Sequence, residues 1–254
     1  MAARLSEAVY AEDDHTDVYL QGPLIEARIK ALLPDATSVT LACVGDTDFA
    51  VAITPDNTAI VIFRGTEIDA GDIASDLDVR KVSPAWLKKG KAASGFTRAF
   101  DAAKNRMLEL IGDADNVALT GHSLGGAISL AAALFLKCQT DKGVVDVTTF
   151  CGPRLFDAEG AAYYDSLLGN VTTRVVDTLD IVPMLPLYTM GYRHTEDPLY
   201  LPYDGINRMS EGLPVKQRAF LFAKGVFAAM KVKNSQVIEA HTMSSVIKKL
   251  ESLT

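Results

Sequence analysis

The chain of 254 residues has few features that direct a protein into or across a membrane. Its N-terminal stretch, MAARLSEAVYAEDD, lacks the apolar run of a secretory signal and becomes acidic from Glu12. No apolar segment reaches the roughly 20 residues that are needed to span a bilayer. We therefore expect a protein that is not embedded in a membrane and that lies in the cytoplasm, with export of a mature form or export without a signal as alternatives.

Cysteine and clustered positive charge are also scarce. The three cysteines, Cys43, Cys138 and Cys151, are odd in number and lie in segments that look buried. This pattern is typical of thiols in a reducing compartment and argues against a disulfide framework. The net charge is −7 and the Lys and Arg residues are scattered. Because phosphate binding requires a basic face, we expect no nucleic-acid partner.

No Gly/Ser-rich linker, low-complexity run or internal repeat divides the sequence, so we expect a single domain over residues 1–254. Apolar periodicity predicts helices at 2–12, Pro23–Leu33 with the proline in its first turn, Phe96–Ile111 and Asp157–Leu168. Strands are predicted at Ser38–Val44, Asp48–Ile53, Ala59–Phe63, Val144–Phe150, Thr172–Val176 and Met190–His194. An antiparallel-looking start followed by alternation predicts an α/β fold, with a mostly parallel central sheet flanked by helices on both faces.

The most informative segment runs from Val117 to Ala132 and reads VALTGHSLGGAISLAA. An apolar strand leads into Gly-x-Ser-x-Gly, and an alanine-rich helix continues to about Lys137. This strand–turn–helix context is the one that a nucleophile elbow requires. The turn exposes the hydroxyl of Ser123 at the helix N-terminus, where backbone N–H groups and the helix dipole stabilise an oxyanion. The alternative, a phosphate-binding turn, lacks the lysine of a phosphate loop.

A serine nucleophile needs a base, and histidine is the usual one. In elbow hydrolases the acid and then the histidine follow the serine along the chain, which excludes His15. His122 is the direct neighbour of Ser123 and cannot turn back to its Oγ. His194 lies within a predicted strand, whereas His241 precedes a final helix and has more freedom to reach the elbow. We therefore prefer His241 as the base and keep His194 as the alternative.

The acid is expected just beyond a strand end between the serine and the histidine. Asp177 follows the strand Thr172–Val176 directly, and Asp180 comes three residues later. Either carboxylate could orient the imidazole and stabilise its charged form. We favour Asp180, because Pro183 restrains the loop beyond it, and Asp177 is open as the alternative acid or as a cap of the strand.

Together these motifs resemble those of the class 3 lipases, the fungal-lipase-like group of α/β-hydrolases. The resemblance covers about residues 59–250 and is carried by the blocks Ile60–Thr66, Ser75–Leu77, Ser94–Phe96, Gly121–Gly126, Thr149–Arg154, Asp180–Pro183 and Ala240–Met243. It implies an α/β-hydrolase fold and a serine carboxylester hydrolase, a lipase or esterase that works through an acyl-enzyme. It implies no cofactor and no metal.

The resemblance also assigns roles to individual residues. It makes Ser123 the nucleophile, Asp180 the acid and His241 the base, and it gives the oxyanion hole to Thr66 and to the backbone N–H of Leu124. The substrate is then a small-molecule ester or a lipid, such as a mono- or diacylglycerol, a phospholipid or a short soluble ester. The alternatives are a lipase-like binding or scaffold protein without catalysis, and an acyltransferase or phospholipase A that uses the same triad.

Two segments are candidates for covering the site. A lid at residues 67–78 has few large apolar groups and four aspartates, Asp69, Asp72, Asp76 and Asp78, which favours an esterase over a triglyceride lipase. A second segment, residues 197–240, contains an apolar helix at Pro214–Met230. That helix is either ordinary packing or a cap that shapes the acyl pocket or makes transient contact with a lipid surface. Nothing in the sequence specifies an oligomeric state.

Overall fold

A computed structural model describes residues 1–10, 18–65, 78–201 and 240–252 of the chain. The strands in this part are β1 (Ser38–Val44), β2 (Thr47–Ile53), β3 (Thr58–Phe63), β4 (Lys81–Val82), β5 (Ala92–Ala93), β6 (Asn116–His122), β7 (Gly143–Phe150), β8 (Phe156–Asp157), β9 (Thr172–Asp177), β10 (Tyr192–Arg193) and β11 (Leu199–Leu201). The helices are α1 (Ala2–Ala8), α2 (Val18–Leu32), α3 (Ser94–Ile111), α4 (Leu124–Gln139), α5 (Ala158–Leu168) and α6 (Met243–Glu251).

The main sheet has seven strands in the spatial order β1-β2-β3-β6-β7-β9-β11. The first three pair antiparallel through short turns. Every pairing from β3 onward is parallel, and helices connect the successive strands β6, β7 and β9. The predicted α/β fold with a mostly parallel sheet is therefore confirmed. In such a sheet the carboxyl ends of the parallel strands meet at one edge, where ligands and chemistry gather.

Hydrophobic side chains fill both faces of this sheet, as β3 illustrates. Val61 and Phe63 point into the larger core under α3 and α4, whereas Ile62 points into a smaller core under α1 and α2. Successive residues of a strand face opposite sides, so a strand buried on both faces reads as one continuous apolar run. Phe100 of α3 and Ile25 of α2 are fully buried on the two sides. Helices on both faces are thus a consequence of strands that have no polar side.

Three local expectations need correction. Helix α2 begins at Val18, so Pro23 lies inside the helix and not in its first turn. Its missing N–H removes one helical hydrogen bond, and the buried side chains of Ile25 and Ile29 hold the helix on the sheet regardless. The strand predicted at Met190–His194 is only the two-residue β10, which belongs to a second, antiparallel sheet in the order β10-β8-β5-β4.

The third correction concerns the helix predicted at 2–12, because α1 ends at Ala8. Sequence analysis also missed strand β11. It has only three residues, and its backbone is held by parallel pairing with β9. Because that pairing joins distant parts of the chain, no local alternation in the sequence reports it. The strand occupies the beginning of the segment 197–240 that is a candidate for a cap.

Several predictions fall on residues outside the described part of the chain. Residues 67–77 of the predicted lid and residues 202–239 of the predicted cap, with the apolar helix at 214–230, are in this group. The lid, the cap and the single-domain organisation therefore stay predictions. Among the residues that the structure does describe, no helix is both long and apolar enough to cross a bilayer.

Candidate active site

Ser123 is the single residue between the end of β6 and the start of α4. Its φ of 55° lies in the left-handed region, which is uncommon for a residue with a side chain and costs free energy. The backbone N–H of Ser123 donates to the carbonyl of Phe150 at 2.9 Å, and its own carbonyl accepts from Gly126 N–H at 3.0 Å. These two bonds tie the turn to the end of β7 and to the first turn of α4.

The two glycines of the motif permit this turn because backbone approaches them closely. A Cβ atom on Gly125 would collide with the Phe63 carbonyl and would lie 2.8 Å from the carbonyl oxygen of Arg64. A Cβ atom on Gly121 would collide with the Gly125 carbonyl and would lie 2.8 Å from Ser129 Oγ. The sharp turn therefore requires glycine at both positions, as the motif predicts.

His241 is the residue that connects Ser123 with Asp180. Its Nε2 lies 2.9 Å from Ser123 Oγ, and its Nδ1 lies 2.7 Å from Asp180 Oδ2. The histidine comes just before Thr242, whose side chain caps helix α6. An imidazole that donates from Nδ1 to a carboxylate carries a free electron pair on Nε2, and this nitrogen can accept the proton of the serine hydroxyl.

Asp180 is held in a buried turn that follows β9. Its side chain is fully buried, and its Oδ1 accepts from the backbone N–H of Val182 at 2.9 Å. The backbone N–H of Asp180 donates to the carbonyl of Asp177 at 3.1 Å. One carboxylate oxygen is thus fixed by backbone, which leaves the other to orient His241.

The alternatives to these two residues have other partners. The buried carboxylate of Asp177 forms an ion pair with the partly exposed Lys249 of α6 and accepts from Leu179 N–H. Burial raises the pKa of Asp177, although Lys249 acts in the opposite direction. His194 Nε2 lies 2.6 Å from the carbonyl of Pro183. Burial, with the nearby Arg174, holds the pKa of His194 well below its usual value. A neutral imidazole that donates to a backbone carbonyl is a structural group.

Of the two predicted oxyanion donors, the structure describes Leu124 but not Thr66. Leu124 is the first residue of the 16-residue helix α4, where backbone N–H groups have no partner within the helix. Thr66 lies outside the described residues. The last described residue before it, Gly65, packs against Ser123, and a Cβ atom there would come within 3.0 Å of Ser123 Cβ.

Two further residues lie at the site: His122, which sequence analysis considered only as a base and excluded, and Tyr10, which it missed. The ring of His122 lies 4.7 Å from the ring of His241, measured between centroids, and its Nδ1 lies 2.7 Å from the Tyr10 hydroxyl. Burial, with the neighbouring His241, keeps the pKa of His122 well below its usual value. The Gly-His-Ser pattern marks His122, but no motif marks Tyr10, whose contact with the elbow spans 112 positions of sequence.

In the described ranges, no group of three or more His, Cys, Asp or Glu side chains is placed to hold a metal ion. The titratable groups at the centre, His241 and Asp180, are directed at each other and at Ser123.

A mostly parallel sheet with a serine in a sharp turn after one strand, an aspartate after a later strand and a histidine before helix α6 is the arrangement of an α/β-hydrolase. The family model described as lipase (class 3) matches residues 60–190, which is more than half of the 254 residues. The chain belongs to the class 3 lipase family.

Curated relatives and solved structures agree with this membership. A lipase from Rhizomucor miehei is 31% identical over 156 residues, which cover 58% of this chain and 42% of the relative. A secreted mono- and diacylglycerol lipase from Malassezia restricta is 26% identical over 153 residues, which cover 56% of this chain and 51% of the relative. The chain therefore spans about half the length of the curated relatives that it matches.

Among solved structures, the native propeptide complex of Rhizomucor miehei lipase superimposes with a TM-score of 0.56 at 27% identity, over 64% of this chain and 56% of that one. Lipase II from Rhizopus niveus superimposes with a TM-score of 0.66 at 22% identity, over 78% of this chain and 77% of that one. The second similarity is one of fold alone.

These relatives contradict the predicted location. The Malassezia protein is named as secreted, so the prediction of a cytoplasmic location is wrong. Part of that prediction used the cysteines as evidence of a reducing compartment. Cys151 is buried, and burial raises the pKa of its thiol well above the usual value, which leaves it protonated and unreactive. A domain with a large core is stable without disulfides, so buried thiols do not identify a compartment.

The packing around the elbow generates a prediction about its two adjacent glycines. We expect Gly125→Ala to lower the free energy of unfolding by about 2–4 kcal/mol, because the added methyl group collides with backbone that cannot move aside. The matched control is Gly126→Ala, where the nearest atoms lie at 3.3 Å and the change should stay within about 1 kcal/mol. Urea unfolding curves measure both values, and equal losses in the two variants would contradict the close packing at Gly125.

The positions of the two late histidines generate a second prediction. His241→Ala should nearly abolish labelling by a fluorophosphonate, because Ser123 loses the acceptor of its proton. His194→Ala should lower the free energy of unfolding by about 1–3 kcal/mol through loss of a partly buried hydrogen bond, and its folded fraction should label normally. Labelling rates of the two variants, compared at the same folded fraction, decide whether His241 or His194 is the base. Normal labelling of His241→Ala, with none of His194→Ala, would reverse the assignment.

Proposed function

We propose that this protein is a serine carboxylester hydrolase that cleaves acyl esters of glycerolipids. The observation that carries the proposal is the bridging position of His241, at 2.9 Å from Ser123 Oγ and 2.7 Å from the buried carboxylate of Asp180. Membership of the class 3 lipase family supports it. The residue roles that we propose are nucleophile for Ser123, base for His241 and acid for Asp180.

The proposed reaction begins with proton transfer from Ser123 Oγ to His241 Nε2 while the oxygen attacks the ester carbonyl carbon. Asp180 stabilises the imidazolium that forms and keeps the ring in its orientation. His241 then gives the proton to the leaving alcohol, and the acyl group stays on Ser123. In the second half, His241 takes a proton from water, the hydroxide attacks the acyl-enzyme, and the carboxylic acid leaves as Ser123 regains its proton.

The negative charge that develops on the carbonyl oxygen requires hydrogen-bond donors. We propose the backbone N–H of Leu124 as one of them, because it is the first N–H of α4, has no partner within the helix and immediately follows the nucleophile. We propose Thr66 as the second, on the resemblance to the family. The reaction uses only side chains and backbone of the chain, so we propose that it needs no cofactor or metal.

We propose mono- and diacylglycerols as the preferred substrates and the outside of the cell as the place of action. The support comes from relatives that are named as secreted mono- and diacylglycerol lipases in Malassezia restricta and Malassezia globosa. The acidic composition of residues 67–78, with few apolar side chains, favours small or dispersed esters over a bulk oil surface.

Removal of the nucleophile tests the proposed activity. Ser123→Ala should lower kcat/KM for p-nitrophenyl butyrate by on the order of 10⁴-fold or more, because no other oxygen can form the acyl-enzyme. The matched control is Ser129→Ala, which removes a buried hydroxyl from helix α4. That hydroxyl donates to the Gly125 carbonyl at 2.8 Å. Loss of this hydrogen bond should lower the free energy of unfolding by about 1 kcal/mol. We therefore expect the activity of the folded Ser129→Ala protein to stay within about threefold of the wild type.

Two results would contradict the activity. A Ser123→Ala variant with a tenth of the wild-type rate would show that the hydrolysis uses another group. A folded wild-type protein without turnover of any ester and without fluorophosphonate labelling would favour the lipase-like binding or scaffold protein. Product analysis in the presence of added alcohols and phospholipids separates hydrolysis of neutral glycerolipids from acyl transfer and from phospholipase A activity.

Substrate dispersion tests the proposed preference. The rate on mono- and diacylglycerols of medium chain length should exceed the rate on the corresponding triacylglycerol. It should also rise smoothly through the solubility limit, since the acidic segment 67–78 offers little apolar surface for adsorption. A pH-stat assay below and above that limit measures both. An abrupt increase in rate when the substrate forms droplets would contradict the prediction.

A further inference from the structure

The hydroxyl of Tyr10 lies between two parts of the candidate site that are far apart in sequence. It is 2.7 Å from Nδ1 of His122 in the elbow and 3.1 Å from the backbone nitrogen of Gly65, just beyond β3. Gly65 itself touches the nucleophile: a Cβ atom there would collide with the Tyr10 hydroxyl, lie 2.7 Å from the His122 carbonyl and lie 3.0 Å from Ser123 Cβ. Tyr10, Gly65 and the elbow therefore form one close contact.

The direction of each hydrogen bond follows from the groups involved. The backbone N–H of Gly65 can only donate, so the Tyr10 oxygen accepts that bond and uses its own proton for Nδ1 of His122. Burial raises the pKa of Tyr10 above its usual value, and burial lowers that of His122, so both groups are neutral. His122 then carries its ring proton on Nε2, which is buried. A hydrogen bond with the backbone of His241 partly opposes the lowering of the His122 pKa.

The ring of His122 is in turn the surface against which the base rests. The rings of His122 and His241 are inclined at 37°, with 4.7 Å between their centroids. Because the Tyr10 hydroxyl fixes the rotation of the His122 ring, it also limits the positions that the His241 ring can adopt. One hydroxyl group thus contacts both Gly65, which packs against Ser123, and His122, whose ring packs against the ring of His241.

Tyr10 is itself held by the elements that carry the site. The guanidinium of Arg64, which follows β3, lies over its ring at 5.5 Å, and Arg28 donates to its backbone carbonyl at 3.1 Å. The preceding helix α1 packs on β6 through a buried bond of 2.9 Å between the hydroxyls of Ser6 and Thr120. The tyrosine is therefore anchored on the sheet independently of the histidines.

We propose that Tyr10 is a positioning residue for the ester hydrolysis, whose hydroxyl fixes Gly65 and His122 around Ser123 and so aligns His241 with the nucleophile. This inference rests on the proposed function. It gives the N-terminal segment a role in the reaction, through a residue that does not touch the reacting atoms.

The experiment compares Tyr10→Phe with Tyr164→Phe. Tyr164 is fully buried and its hydroxyl lies 2.9 Å from Thr172 Oγ1, so both variants lose a hydrogen bond between side chains. Only Tyr10→Phe also loses a bond from backbone, that of Gly65 N–H, and only Tyr10 contacts the elbow. On p-nitrophenyl butyrate, with rates normalised to the folded fraction, kcat of Tyr10→Phe should fall between about 10- and about 100-fold. Its KM should stay within about twofold, because no substrate contact is lost. Tyr164→Phe should keep both constants.

A second measurement monitors the ring environments of His122 and His241 and does not depend on turnover. In ¹⁵N spectra of histidine-labelled protein, assigned with the help of a His241→Ala sample, Tyr10→Phe should shift the ring nitrogen signals of His122 and His241. Tyr164→Phe should leave them in place. This readout separates positioning at the site from a general loss of stability, which would affect both variants alike.

Each result bears on one of the two proposals. Wild-type kcat in Tyr10→Phe, or an equal fall in Tyr10→Phe and Tyr164→Phe, would overturn the role of Tyr10 while the proposed function stands. Unchanged histidine signals in Tyr10→Phe would also overturn it. A folded wild type that neither hydrolyses esters nor reacts with a fluorophosphonate would remove the proposed function, and the positioning role in hydrolysis would fall with it.

Discussion

The backbone conformation of Ser123 is the constraint on which the rest of the site depends. A φ of 55° at a serine costs of order 1–3 kcal/mol, and the chain accepts that cost at the junction of β6 and α4. The hydrogen bond from Ser123 N–H to Phe150 and the close backbone contact at Gly125 hold the junction in place. Because strand and helix meet without a loop, the hydroxyl projects from the carboxyl edge of the sheet at a fixed position.

The partners of Ser123 reach that edge by the geometry of the parallel sheet. Strand β9 lies two strands from β6 in the same direction, so the turn after it carries Asp180 to the same edge. Helix α6 packs Met243 and Val246 against Phe150 and Val175, which places the preceding His241 above the serine. Three residues from distant parts of the chain are thus brought together by the packing of strands and one terminal helix.

Sequence reasoning was strongest where chemistry and local structure impose the same residues. Glycine at positions 121 and 125 is required by backbone contact, and the order of serine, acid and histidine follows the order of the strands. The strand β11 and the small antiparallel sheet could not be predicted, because their short strands are defined by partners that are distant in sequence. Tyr10 could not be predicted for the same reason, because its contact with the elbow joins residues that are 112 positions apart in sequence.

The prediction of a cytoplasmic location failed for a different physical reason. It took the absence of disulfides as evidence of a reducing compartment. Cys151 is buried in the core, and a large core is stable without disulfides in any compartment. Composition limits which interactions a chain can make, but it does not say where the chain acts. The site chemistry is independent of this error, since it depends on the contacts of Ser123, His241 and Asp180.

The central claim is that Ser123 is a nucleophile whose developing charge faces the start of α4 and whose base is oriented by Asp180. A crystal structure of the protein after reaction with a fluorophosphonate tests it most directly. We expect phosphorus bonded to Ser123 Oγ, the phosphonyl oxygen accepting from Leu124 N–H, and His241 still paired with Asp180. An adduct on another residue, or a phosphonyl oxygen turned away from Leu124, would contradict it.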